Sequence, residues 1–160
     1  TYKVDIAIKF AKRGACQELL RDFLGFKYSK AKQIVSEFGD PVNSKDRVIL
    51  GARFLTIDTQ LKESEVWYSI YNNVYHKCSF TKFIVAYDIY KDLRKSPLSI
   101  NKCYGVIKSV FENQITIHSY PDGSFSLLSK KPTSSVRKTQ QIQDSVIAVN
   151  EKFDTQALLS

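Results

Sequence analysis

A change of apolar period at Gln114 constrains this chain more than any other feature. Before it, apolar residues recur at i, i+3, i+4 and i+7, as on one face of an α-helix; after it they alternate, as on a strand. The expected fold class is therefore mainly α: a multi-helix domain with a helix-turn-helix-like pair and a small C-terminal β-hairpin. No repeat period joins the helical stretches, so the pattern is not that of a solenoid.

The stretch from Gly14 to Gly39 organises the rest. Cys16, Leu19, Leu20, Phe23 and Leu24 form one apolar stripe on a helix that Gly25 stops. Ser29 is placed to cap the next helix, whose inner face is Ala31, Ile34, Val35 and Phe38. Lys30, Lys32 and Gln33 are left facing outward, with Lys27 in the turn before them. Two short helices, a glycine turn and a cationic outer face suit a helix laid into the DNA major groove. The same pattern also describes an ordinary helix pair with a solvated face.

Taken in order, Val4, Ile8, Ala11 and Ala15 make a first helical stripe with Ala7 and Phe10 beside it, able to run on through Gly14 into the next helix. After a loop at Pro41, Ser44 is placed to cap a helix from about Asp46, with Val48, Ile49, Ala52 and Leu55 inward. Ser64 opens a segment carrying Trp67, Ile70, Tyr71, Val74 and Tyr75. Its aromatic cluster, Trp67, Tyr68, Tyr71 and Tyr75, reads as core plus partner interface, with a base-stacking platform as the alternative. Ser79 caps a run with Phe80, Phe83, Ile84 and Tyr87 inward. Ser96 and Pro97 introduce the most regular helix, Ile100, Cys103, Tyr104, Ile107, Val110 and Phe111. The strands ITIHSY and SFSLL flank the turn Pro121-Asp122-Gly123. Residues 1–129 form the expected helical domain with its hairpin. Residues 130–160 form a basic arm, Lys130, Lys131, Arg137 and Lys138, with one short helix around Ile142 to Val149. That arm is either a solvated linker or a flexible contact for phosphates.

Among 160 residues, Lys and Arg outnumber Asp and Glu by 24 to 16, giving a formal charge of +8. An excess of that sign favours a polyanionic partner, because each neutralised phosphate releases counterions. Cys16, Cys78 and Cys103 are odd in number and far apart, and read as small buried hydrophobes in a reducing compartment. No apolar run is long enough for a membrane span and no signal segment opens the sequence, so a cytoplasmic location is the default. No phosphate-cradling glycine loop, HExxH or GxSxG is present, and Asp40 and Asp46 read as cap or loop residues, so an enzyme is not expected.

Asp5-Ile6, Gly14-Ala15, Ser29-Lys30-Ala31-Lys32 through Ile34 to Gly39 and Pro41, and Cys78-Ser79 leading into Val85-Ala86-Tyr87 and Tyr90 carry a distributed likeness. It continues through Val106, Ile107, Val110, Phe111 and Glu112 into Ile115 to His118. Gly123-Ser124-Phe125, Pro132, Ser134 and Arg137-Lys138 complete it. In these residues the first 140 or so positions of the chain resemble the FlhC family, the DNA-contacting subunit of bacterial flagellar master activators, with relatives on conjugative elements. The resemblance implies a helical protein that joins a small FlhD-like subunit, binds promoter double-stranded DNA, acts on RNA polymerase and activates transcription. Lys27, Lys30, Lys32 and Gln33 would meet one groove, and Lys130, Lys131, Arg137 and Lys138 the neighbouring backbone. The family's four zinc-binding cysteines near the hairpin have no counterpart in HSYPDGSFSLLSKK, so neither a metal nor any other cofactor is expected. The alternative function is a helical adaptor that binds protein without reading DNA.

Overall fold

The computed structural model describes residues 2–40, 46–50 and 58–129. Within them six helices precede one antiparallel hairpin: α1 (Tyr2–Lys12), α2 (Gln17–Asp22), α3 (Tyr28–Phe38), α4 (Asp58–Asn73), α5 (Ser79–Leu93), α6 (Ile100–Phe111), β1 (Ile115–Ser119) and β2 (Phe125–Ser129). The mainly helical fold with a C-terminal hairpin is thus as expected. The arm at 130–160, with Lys130, Lys131, Arg137, Lys138 and the expected helix at Ile142, lies outside the described residues.

α1 does not run on into α2. Gly14 adopts φ +96°, where a side chain would be strained, and the chain turns sharply there. The Gly14 N–H donates to Ala11 O and the Ala15 N–H to Phe10 O, at 3.0 and 3.1 Å, the paired bonds that close a helix at a left-handed glycine. The buried face of α1 is Ile6, Ala7, Phe10 and Ala11 rather than a stripe through Val4 and Ile8. In α2 and its flanks Cys16, Leu19, Leu20 and Leu24 are buried and Phe23 is half-buried, as the apolar spacing requires. Gly25, at φ +78°, ends the element.

The expected caps shift. Lys27, not Ser29, is the N-cap of α3; Cys78, not Ser79, is that of α5; neither supplies a side-chain cap. Ser99 rather than Ser96 caps α6, its hydroxyl accepting from the Lys102 N–H at 3.2 Å. α4 begins at Asp58, so Ser64 lies inside it, where its hydroxyl donates to Gln60 O at 2.7 Å. Residues 46–50 are not helical, though Val48 and Ile49 pack against the core, so no helix starts at Asp46; Ser44, Ala52 and Leu55 lie outside the described residues.

α6 is the central element, buried along most of its circumference, as a helix enclosed by its neighbours must be. Beside it lies a cluster of rings around Phe83, whose ring centroid is 5.6 Å from Phe10, 5.5 Å from Phe23 and 5.1 Å from Trp67. α1, α2, α4, α5 and α6 all contribute to this cluster. Trp67 is fully enclosed and its indole N–H donates to Cys103 O at 3.0 Å, the polar partner that a buried Trp requires.

The hairpin pairs Ile117 with Leu127 and Ser119 with Phe125. Ile115, Ile117 and Leu127 point inward and are buried. A two-stranded ribbon is marginal alone; here Phe125 packs edge-on to Tyr68 of α4 at 5.7 Å, and the Leu127 N–H donates to Glu65 of α4 at 3.2 Å. Phe111, expected inward, is 54% exposed at the end of α6.

Candidate nucleic-acid interface

α3 packs on both α1 and α2, forming a three-helix unit with the α2–α3 pair at its edge. Ala31 and Ile34 are buried and Val35 and Phe38 half-buried, which orients the helix. At about 100° per residue, Lys30 and Lys32 then fall on opposite flanks, with Ser29, Gln33 and Ser36 on the outermost line between them. Lys27, Lys30, Lys32 and Gln33 are all exposed. The placement of Lys30 and Lys32 suits two separate strands of phosphates with Gln33 presented between them. Glu37, also exposed, shares the flank of Lys30 and adds a negative charge there.

Internal ties hold this edge to the body. Asn101 of α6 is fully buried; its side-chain oxygen accepts from the Cys16 N–H at 2.8 Å, and its amide donates to Gly14 O at 3.0 Å and Asp46 O at 3.3 Å. One side chain thus pins the α1–α2 corner and the 46–50 segment to the central helix. Arg13 forks onto both carboxylate oxygens of Asp88, each at 2.8 Å, joining the end of α1 to α5. Lys108 pairs with Asp22 at 2.7 Å, and the Tyr104 hydroxyl donates to the same carboxylate. These two contacts, Lys108 first, hold the Asp22 carboxyl below its usual range.

Charge pairing is uneven. Arg13, Arg94 and Lys108 have carboxylate partners, whereas Lys27, Lys30 and Lys32 have no ion pair among the described residues. Of the four aromatic residues expected at a partner interface, Trp67, Tyr68 and Tyr71 are buried in the chain's own interior, and Lys82 lies 4.4 Å above the Tyr71 ring. Tyr75 falls beyond the end of α4 and is 72% exposed. Sequence reasoning missed Asn101. Its signal was a second line on α6, Asn101, Gly105 and Ser109 at i, i+4 and i+8, buried beside the apolar stripe. It also missed the aromatic contacts of Lys3 and Arg21, which join residues of different elements.

Cys16 and Cys103 are buried free thiols, but Cys78 is half-buried at the start of α5, contrary to its expected burial. Its sulfur receives the Tyr2 hydroxyl at 3.7 Å. The Thr81 backbone N–H is the largest cause that lowers its pKa, to about 7. Among the described residues no group of three or more His, Cys, Asp or Glu side chains is placed to hold a metal ion, and no helix is long and apolar enough to cross a membrane. No known family model matches this chain, and no curated protein matches it in sequence.

Proposed function

We propose that this chain is a DNA-binding transcriptional regulator, an activator working in a heteromeric complex with a small FlhD-like helical subunit and contacting RNA polymerase, in the cytoplasm. The observation that carries the reading is the outer face of α3, where exposed Lys30 and Lys32 flank Gln33 and, although Glu37 shares the flank of Lys30, neither lysine has an ion pair among the described residues. Lysines on phosphates supply affinity and register, while the Gln33 amide is the group suited to a bidentate contact with adenine. The uncapped first turn of α3, led by Lys27, adds N–H groups and a positive dipole end toward the same partner. The arm Lys130, Lys131, Arg137 and Lys138 belongs to the proposal as a second grip on the backbone.

Binding of the full chain to a mixed-sequence DNA duplex, titrated from about 50 to 200 mM salt, tests the reading, with affinity expected to fall by orders of magnitude over that range. Lys30→Ala and Lys32→Ala should each reduce the slope of log affinity against log salt by about one unit. An affinity indifferent to salt overturns it.

A second reading, the helical adaptor, draws on a different observation. Val85, Ile89 and Leu93 are exposed at i, i+4 and i+8 along α5, an apolar ridge suited to a partner helix. Regulator and adaptor are compatible if the partner is the small subunit. Size-exclusion of the chain with and without a co-encoded helical protein separates them: a monomer that binds DNA alone counts against an obligate complex.

A further inference from the structure

Two of the three cations held over aromatic rings among the described residues stand at the turn between α2 and α3; the third, Lys82 over Tyr71, stands alone on α5. Lys3 of α1 stands with its ammonium 5.2 Å from the Phe26 ring centroid, and Arg21 of α2 with its guanidinium 5.4 Å from that of Tyr28. Exposed Lys27 lies between those two aromatic residues in the chain. None of the three cations has an ion pair among the described residues. Asp22, next to Arg21 in sequence, is already engaged by Lys108 and Tyr104. A ring attracts a cation through its negative face without using up its N–H donors. Lys3 and Arg21 are therefore held in place with full charge and donor capacity toward solvent. Gly25 brings the turn close to α1: a side-chain carbon there would stand 3.5 Å from the Lys3 ammonium.

We propose that this turn is a cradle for the phosphate backbone of duplex DNA, in which Lys3, Arg21 and Lys27 take neighbouring phosphates while Phe26 and Tyr28 position the first two. The cradle rests on the DNA-binding reading above and extends it, because it fixes where along the duplex α3 enters. Three cations supplied by two helices and a turn, two of them held at a set place, suit the regular charges of a stiff duplex. Tyr28 is a positioning residue, its ring 54% exposed but faced by Arg21.

The test uses the full chain and a mixed-sequence duplex. Lys3→Ala, Arg21→Ala and Lys27→Ala should each lower the salt slope by about one unit, and the triple variant by about three. Tyr28→Leu, which changes no charge, should weaken binding several-fold, and Tyr28→Phe should bind as the unsubstituted chain does. Thermal melting of each variant should be unchanged, since the altered groups are exposed. If the triple variant keeps the full slope while Lys30→Ala and Lys32→Ala reduce it, the cradle is wrong and the regulator stands. A chain with no salt-dependent duplex binding at all defeats both. Tight binding to phosphatidylserine vesicles that the triple variant loses, with duplex binding intact, overturns the cradle in favour of a membrane surface.

Discussion

Asn101 does at one residue what several caps would otherwise have to do. A buried amide that satisfies one donor and two acceptors from two separate segments cannot be removed without stranding backbone groups. Asn101→Leu should therefore lower unfolding free energy by about 3 kcal/mol, read by chemical denaturation. Aspartate at the same position should do no better, since it cannot donate to Gly14 O. A second prediction at this scale concerns the thiols. Cys78, with its pKa near 7, should be alkylated by iodoacetamide at neutral pH with a rate that rises through that value, and Cys78→Ser should abolish the reaction. In the folded chain Cys16 and Cys103 should stay unmodified, because burial pushes both thiols up and shields them.

At the scale of elements, α4 and α5 are locked by Glu63. Burial pushes its carboxyl up, but the Arg94 guanidinium at 2.6 Å and the Tyr90 hydroxyl at 2.7 Å more than offset that, so the group sits below its ordinary value. The Tyr90 hydroxyl also receives the Leu98 N–H at 2.8 Å, so the contact reaches the start of α6. A carboxyl depressed in the folded state contributes stability above its unfolded pKa of about 4.3 and loses it as pH falls through the folded value. The melting temperature should thus drop between about pH 5 and pH 3 more steeply in the natural chain than in Glu63→Gln. The end of α3 carries a third constraint. At Gly39 the backbone angles are ordinary, yet an added side-chain carbon would stand 2.4 Å from Val35 O. Gly39→Ala should cost about 1–3 kcal/mol and fray the last turn, visible as faster amide exchange there. Much of this level was legible in the sequence, because apolar spacing is imposed by burial itself: the α2 stripe, the hairpin alternation and the helix-ending role of Gly25 follow from it. The caps were less legible. Serine favours a cap without dictating one, and at Lys27 and Cys78 the start is set by where the preceding turn delivers the chain. The 46–50 segment, apolar enough for a helix, is not helical, and Asn101 donates to its Asp46 carbonyl.

For the molecule as a whole, the distribution of charge matters more than its sum. The paired cations, Arg13, Arg94 and Lys108, tie elements together, while those of α3 and its turn, like the other lysines of the described residues, have no ion pair. Replacing Lys30 and Lys32 together by Glu should leave the melting temperature within a few degrees and abolish duplex binding, since surface charges contribute little to folding but set the field a polyanion meets. Neither the sparing of these lysines nor the rings that hold Lys3 and Arg21 could be read from composition, because both depend on how separate elements meet in space. Asn101 reaches back 85 residues to Cys16 and 87 to Gly14. During translation the first corner therefore lacks these bonds until α6, the last helix among the described residues, leaves the ribosome. A prematurely terminated chain ending before that asparagine would carry the lysines without the brace that ties their corner to α6, so on the proposed DNA-binding reading its fragments should not compete with the finished protein for a duplex.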